Sequence, residues 1–479
     1  MSEATGVEGD STAPAPPLPA GGSGVAVVPD GLVAFAARCR AAREARESLD
    51  LLYYIWRDDL TGRLLAREVL RAAARGVRVR LLLDDMYALG RERVLSVLDA
   101  HPHVEVRLFN PTRWRRFGQA GMVLEMLFGG RHLNRRMHNK AWIADGRVAV
   151  VGGRNVGDEY YDASGAFNFR DLDLVLAGQA VRDVQAVFER YWRHPLARPV
   201  RRASGLRPRP GRLAALTRRL DMTAAGEGAQ PFLEGLKADP GVARTLEGDG
   251  SALTPLPREA VRVVADPPDK VLSRAAMKEC LAPAILEALQ EARHEALLIS
   301  PYFVPGEEGV AVLEGLARNG VRVAVVTNSL AATDVVAVHG GYARHRPHLL
   351  DAGIELYELK RSGKESAGVF GSRGASLHTK ALVVDGAHAF VGSFNLDPRS
   401  ATLNTEMGVF VRHAALGDAV QEEFARLSDP ARSWKVTRGT EGGLCWNGPD
   451  GTVTSEPDAS LRRRALAWLV RWLPIESQL

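Results

Sequence analysis

The chain has 479 residues, 46% of them hydrophobic and 25% charged, with a formal net charge of +5. That length is too great for one ordinary core, and the composition is that of a soluble globular protein of about two to three domains. Three distant cysteines (Cys39, Cys280 and Cys445) exclude a disulfide framework and a C-x-x-C metal site, and no run of about 18 apolar residues exists to cross a bilayer as a helix.

Residues 1–25 are mostly Pro, Ala, Gly and Ser with scattered acids, which reads as a disordered tail, with structure beginning near Val27. The N-terminus lacks the basic and apolar regions of a signal peptide. The run Leu51 to Trp56 reads as a buried strand. Residues 61–75 read as a helix capped by Thr61 and ended by Gly76, and Val77 to Leu83 as a second strand. This βαβ unit implies parallel strands. Residues 113–128 mix arginines with Trp114, Phe117 and an apolar run, as an interfacial segment or a buried helix with a basic cap would. Residues 201–257 read as a linker, rich in Pro and Arg at its start and in Gly, Pro and Asp later, with a short helix over 213–221. Residues 201–220 carry seven arginines and no acid, a surface suited to phosphates.

The second half repeats the scheme. Leu297 to Phe303 reads as a strand, 308–318 as a helix ended by Gly320, and Val321 to Val326 as a strand. GVRVRLLLDD (76–85) matches GVRVAVVTNS (320–329). The expected domains are therefore 26–200 and 258–479. The segment 461–473 puts Leu461, Ala465, Trp468, Leu469, Trp472 and Leu473 on one helical face, with Arg462–Arg464 elsewhere. That pattern suits a membrane interface or a helix docked on the body.

His138-Asn139-Lys140 and Asp145 recur as His378-Thr379-Lys380 and Asp385. Both copies read H-x-K-x4-D, and both place an Asn seventeen residues after the His (155 − 138 and 395 − 378). In each copy the motif runs into a strand, an Asp-Gly turn and a returning strand, a hairpin by its turn chemistry. Two histidines facing one phosphodiester can serve as nucleophile and general acid. Lys140, Lys380, Asn155 and Asn395 supply charge and hydrogen bonds where transition-state charge develops. No metal or cofactor is called for. Each imidazole also needs a partner on its second nitrogen. Asp171, in RDLDLVL, aligns with Glu406, in TEMGVFV, and these are the expected orienting carboxylates.

These motifs resemble the phospholipase D superfamily, whose signature is a duplicated H-x-K-x4-D-x6-G-S-x-N. The resemblance implies two homologous α/β/α halves with mixed, largely parallel sheets around one shared site. It maps the nucleophile and acid onto His138 and His378, phosphate binding onto Lys140, Lys380, Asn155, Asn395 and Ser393, and the motif aspartates onto Asp145 and Asp385, in a supporting role at the hairpin turns. Gly153 stands where the signature has Ser. Further stretches, among them Tyr53-Tyr54-Ile55-Trp56, Ser300-Pro301-Tyr302-Phe303-Val304-Pro305, Thr327 to Asp334, Phe394 to Ser400 and Trp472-Leu473-Pro474-Ile475-Glu476, are similar to bacterial cardiolipin synthases of the C-type. That implies phosphatidyl transfer to phosphatidylglycerol, from phosphatidylethanolamine or a second phosphatidylglycerol, through a phosphohistidine. The implied partners are phospholipids and an anionic membrane surface, at the cytoplasmic face of the bacterial inner membrane. No nucleic acid is expected, and an accessory protein is left open. Hydrolysis with water, a nuclease of the same superfamily and an inactive lipid-binding module are the alternatives.

Overall fold

The computed structural model of the protein describes residues 18–128, 131–247, 253–272, 279–361, 375–439 and 442–472. The first half supplies β1 (Ser23–Val28), β2 (Ser48–Tyr53), β3 (Arg78–Asp84), β4 (Val104–Phe109), β5 (Ala141–Ala144), β6 (Val148–Gly152), β7 (Asn168–Arg170), β8 (Asp173–Gly178), β9 (Ala197–Pro199) and β10 (Thr254–Leu256). All but β7 form a nine-stranded sheet in the order β10-β1-β8-β6-β5-β2-β3-β4-β9. The second half supplies β11 (Val261–Ala265), β12 (Glu295–Ile299), β13 (Arg322–Asn328), β14 (Glu355–Leu359), β15 (Ala375–Leu377), β16 (Ala381–Val384), β17 (His388–Gly392), β18 (Met407–Arg412), β19 (Ser433–Arg438), β20 (Leu444–Gly448) and β21 (Gly451–Val453). All but β15 form a ten-stranded sheet in the order β11-β18-β17-β16-β12-β13-β14-β19-β20-β21. The two strands left over, β7 and β15, pair in parallel and tie the halves together.

The sheets are mixed, but the parallel ladders are confined to β2-β3-β4 and β12-β13-β14. The remaining ladders within the two large sheets are antiparallel, so the parallel share is smaller than the βαβ pattern predicts. The reason lies partly in the motif hairpins. Asp145-Gly146 and Asp385-Gly386 all have positive φ, the backbone of a tight hairpin turn, and fold β6 and β17 back on β5 and β16.

Other boundaries also differ from the sequence reading. β1 begins at Ser23, inside the expected tail, because it pairs with β8 on one side and β10 on the other. β2 starts three residues before the apolar run (51 − 48) and ends at Tyr53. It contains buried Asp50, whose charge obscures the strand and is met by Arg80 at 2.7 Å. The cap of the helix Leu60–Ala74 is Asp59, which accepts from Gly62 N at 3.0 Å, and not Thr61. Residues 201–257 are no linker. They include the helices Arg212–Ala225, Gln230–Ala238 and Pro240–Glu247, and end in β10 at the edge of the first sheet. Leu220 and Phe232 are buried in the first half's core, and the arginines around them mask that apolar face in the sequence.

One core spans both halves: Leu52, Ile143, Val184 and Phe188 cluster with Leu297, Val383, Val420 and Phe424. Arg170 of the first half forms a two-point pair with the buried Glu423 of the second, both contacts at 2.7 Å. The helix Leu461–Arg471 docks on the second half through Ala467 and Val470, where a side chain on Gly340 would collide with it. Arg463 donates to Leu330 O and Thr333 O, and Arg464 to Glu456 O, so among the described residues only Arg462 of the predicted arginine cluster remains free. Leu473–Glu476, from the C-terminal motif, lies outside the described residues.

Removing Arg170 takes both 2.7 Å contacts from the buried Glu423 and leaves it Arg426 at 3.7 Å. Arg170→Met is expected to lower stability by about 3 kcal/mol. Adding Glu423→Leu should restore most of it, as read from urea unfolding midpoints.

Candidate active site

The two motif segments meet where the halves cross. His138 N donates to Thr405 O, and Thr405 N to Arg136 O, each at 2.8 Å. His378 N donates to Arg170 O, also at 2.8 Å. These backbone bonds set the register of the next residue on each strand. Residue 406 comes after Thr405 and residue 171 after Arg170, so each half's carboxylate arrives under the other half's histidine. Glu406 Oε2 lies 2.8 Å from His138 Nδ1, and Asp171 Oδ2 lies 2.5 Å from His378 Nδ1. Both carboxylates are fully buried.

Burial is the largest influence on both imidazoles. It pushes His138 down to about 4, against the upward pull of Glu406. His378 lies well below its ordinary value, driven by burial and then by Lys380, Lys140 and His138. Both rings are neutral at pH 7. With Nδ1–H donated to a carboxylate, each leaves the lone pair of Nε2 free. Burial pushes Glu406 up, but His138, Lys140 and the Ser393 hydroxyl bring it net below its usual value. Asp171 is raised by burial, only partly offset by Lys380 and Arg154.

Lys140 and Lys380 each donate to the carbonyl oxygen of their own motif histidine. Burial is the main cause that lowers them to about 7 and about 8, and each ammonium feels both carboxylates. Lys140 is lowered further by Lys380, so the two ammonium groups lie near one another. Asn395 uses its backbone N–H on Ser400 Oγ at 3.3 Å, while its buried Oδ1 has no hydrogen-bond partner among the described residues. Asn155 is committed elsewhere: Oδ1 accepts from Ile55 N at 3.1 Å and Nδ2 donates to Tyr160 Oη at 3.0 Å.

Ser393 was expected on the phosphate. Its hydroxyl instead donates to Glu406 Oε2 at 2.5 Å, and its carbonyl oxygen lies 3.2 Å from His138 Nδ1. In the first half Gly153 has no room for a side chain, since a Cβ there would lie 2.2 Å from Asp171 Oδ1. Asp145 and Asp385 stand apart from the histidines. Asp145 accepts from the backbone N–H groups of Arg46, Glu47 and Ser48, and Asp385 from those of Arg293, His294 and Glu295. They fasten the hairpin turns to the start of the neighbouring strand.

Several residues of the site carried no assigned role in the sequence. Ser400 Oγ donates to Glu406 Oε1 at 2.9 Å, and Asp266 accepts from Glu406 N at 2.8 Å. The Tyr54 ring lies edge-on to His138 at 5.0 Å, and the Tyr160 ring edge-on to His378 at 5.2 Å. Tyr54 and Ser400 stand in stretches that carry the family resemblance, but spacing alone does not show which atoms they touch.

A duplicated α/β scaffold with one His-Lys set per half, each within electrostatic reach of the other, has the layout of a phospholipase D-type site. The cardiolipin synthase, PLD-like domain family matches residues 39–192 and 285–428, one match in each half, and the chain is an enzyme belonging to that family. Cardiolipin synthase C of Escherichia coli (strain K12) is 39% identical over 457 residues, covering 93% of this chain and 94% of that protein. A cardiolipin synthase of Halalkalibacterium halodurans is 28% identical over 388 residues, covering 80% of this chain and 62% of that protein. The fold is shared with the crystal structure of a phosphatidylserine synthase from Haemophilus influenzae, at a TM-score of 0.58 and 13% identity, covering 87% of this chain and 88% of that one.

Gly153→Ser is expected to displace Asp171 and misalign His378, lowering turnover on the order of 10²-fold by the usual cost of such a misplacement. The two lysines must be charged to hold an anion. kcat/KM should therefore fall as pH rises through about 7 to 8. In Lys140→Arg the same limb should move upward, as measured on a water-soluble phosphodiester.

Proposed function

We propose that the protein transfers a phosphatidyl group from one phospholipid to phosphatidylglycerol, making cardiolipin. The observation that carries this reading is the pair of buried imidazoles, each oriented by the other half's carboxylate beside two lysines. The name of the Escherichia coli relative supports the choice of product. The chemistry runs in two displacements. His138 Nε2 attacks phosphorus and the P–O bond to the donor headgroup breaks, leaving a phosphatidyl-histidine. His378 gives the departing alkoxide its proton. The negative charge of the bound phosphodiester raises the pKa of His378 from its empty-site value and lets it hold that proton. His378 then takes the proton of a glycerol hydroxyl of phosphatidylglycerol. That oxygen attacks phosphorus and the P–N bond breaks. Lys140, Lys380 and the amide of Asn395 stabilise the non-bridging oxygens, while Glu406 and Asp171 hold the rings.

His138 is assigned as the nucleophile by the family resemblance, and the firmer hold on its carboxylate supports that order. Glu406 contacts His138, Ser393 and Ser400, whereas Asp171 meets His378 and Leu172 N. A carboxylate fixed as an anion stabilises the cationic phosphoimidazolium.

The lipid is reached from a surface. Among the described residues no helix is long and apolar enough to cross a membrane. Two segments with exposed apolar side chains are tied to loops at the pocket. Arg463, on the helix Leu461–Arg471, donates to the 327–334 loop, whose Asp334 accepts from Tyr302 Oη; the helix presents Trp468 at 63% and Trp472 at 70% exposure. The segment with the helix Gly118–Leu127 is joined to Asp85 and Glu92 through Arg115, and presents Leu127 and Phe128 at 74% and 77% exposure. Aromatic and aliphatic groups beside arginines suit a lipid interface better than a nucleic acid backbone. We place this peripheral contact at the cytoplasmic face of the inner membrane.

Mass spectrometry of lipids after incubation with phosphatidylglycerol, with and without phosphatidylethanolamine, tests the reaction. Cardiolipin is the expected product; phosphatidic acid alone would show water to be the acceptor. His138→Ala should abolish turnover, and His378→Ala should lower it by about 10²–10⁴-fold. A trapped phosphoryl group should map to the peptide containing His138. Trp468→Ser combined with Trp472→Ser should weaken sedimentation with phosphatidylglycerol liposomes and leave turnover on a water-soluble phosphodiester unchanged.

A further inference from the structure

In the first half, an apolar slot that the catalytic chemistry does not use lies on the far side of Tyr54 from His138. It is a narrow cleft with a cavity volume of about 90 Å³, between the helix Leu60–Ala74, β3, the helix Glu92–Leu98 and the helix Arg212–Ala225. Val69, Leu81, Leu83, Leu95 and Leu98 form its walls, and Leu220 closes it from the 201–257 segment. Tyr54 stands between the slot and His138. It lines the slot, its ring lies 5.0 Å from that of His138 and 5.1 Å from that of Tyr87, and Lys140 Nζ is 5.5 Å from its centroid. Asp84, also on the slot, accepts from the backbone N–H of Met137, the neighbour of His138.

We propose that this slot takes one acyl chain of the phospholipid whose phosphate sits between His138 and His378. The proposal rests on the phospholipid reading given above and adds to it a site for the hydrocarbon. The slot's walls offer aliphatic contact and no free polar group deep inside. The arginines that line it are already engaged: Arg57 pairs with Glu159 and Arg63 with Asp58, each at 2.7 Å, and Arg91 donates to Trp56 O at 2.6 Å. An apolar cavity of this kind stays dry and takes an apolar ligand. The half-buried Tyr54 and the exposed Tyr87 form the edge between the slot and the imidazole, and the single ring between them leaves a phosphate at Nε2 and a chain in the slot close enough to belong to one molecule. The segment 201–257 then has a use, since its helix closes the slot.

Each methylene that enters should tighten binding about fourfold, the equivalent of about 0.8 kcal/mol. In the full chain, KM for phosphatidylglycerol in mixed micelles should fall with acyl length until the slot is full. Ala66→Phe puts a ring into the slot from one wall and Leu216→Trp from the other. Each should raise KM for the long-chain lipid by ~10-fold or more, the worth of about two methylenes. Turnover on a water-soluble short-chain phosphodiester and the unfolding temperature should stay at their wild-type values. Phosphatidylglycerol carrying a diazirine at the end of one acyl chain should label peptides within 66–98 and 212–220 on irradiation. Label confined to the exposed helices Gly118–Leu127 and Leu461–Arg471, or an unchanged chain-length dependence in both variants, would overturn the proposal. If the wild type turns over no phospholipid at all, the transferase reading fails, while the photolabel still decides the slot.

Discussion

Everything in the site depends on an exchange of carboxylates between the halves. Neither half orients its own histidine. Glu406 holds His138 and Asp171 holds His378, and backbone pairing fixes both contacts one residue earlier. The isolated bridge between Met137 and Thr405 immediately precedes His138 and Glu406. The ribbon of β7 and β15 immediately precedes Asp171 and His378. The contact between the halves therefore sets the orientation of both histidines. This explains why the interface is built like a domain core, with aliphatic side chains from both sheets in one cluster and the buried Arg170–Glu423 pair beside them. A looser interface would let the imidazoles rotate, and a small misplacement is costly in catalysis.

The duplication is not a perfect twofold. Gly153 yields its space to Asp171, while Ser393 spends its hydroxyl on Glu406. Asn155 is absorbed into bonds with Ile55 and Tyr160, while Asn395 keeps its amide free of protein partners among the described residues. Burial raises Asp171, whereas Glu406 is held net below its ordinary range. Two chemically distinct histidines are what a nucleophile and an acid require, and the environment of each ring, more than its motif, sets that difference.

The motifs and their hairpins were legible in the sequence because both rest on local rules: a repeated spacing and an Asp-Gly turn. The βαβ units were legible from apolar periodicity and from glycines that end helices. The crossing of the carboxylates was not. The alignment pairs Asp171 with Glu406 as equivalents, but which histidine each one meets is decided by packing between residues more than two hundred positions apart, at a sequence separation of 268 for His138 and Glu406. β2 was misframed because a charge can sit inside a buried strand when a partner such as Arg80 reaches it. The 201–257 segment reads as a linker because its arginines dominate its composition, although Leu220 and Phe232 bury its apolar face. Ser393 illustrates the limit of a family motif: the residue type is right for a phosphate, but its hydroxyl already has a nearer acceptor.

The most direct test of the carboxylate exchange is ¹⁵N NMR of the protein labelled at histidine, with the Nδ1–H signals of His138 and His378 assigned from their alanine variants. Glu406→Gln should perturb the His138 signal and leave that of His378 in place, and Asp171→Asn should do the reverse. Perturbation of His378 by Glu406→Gln, or of His138 by Asp171→Asn, with the other ring untouched, would mean that each half orients its own histidine and would contradict the account.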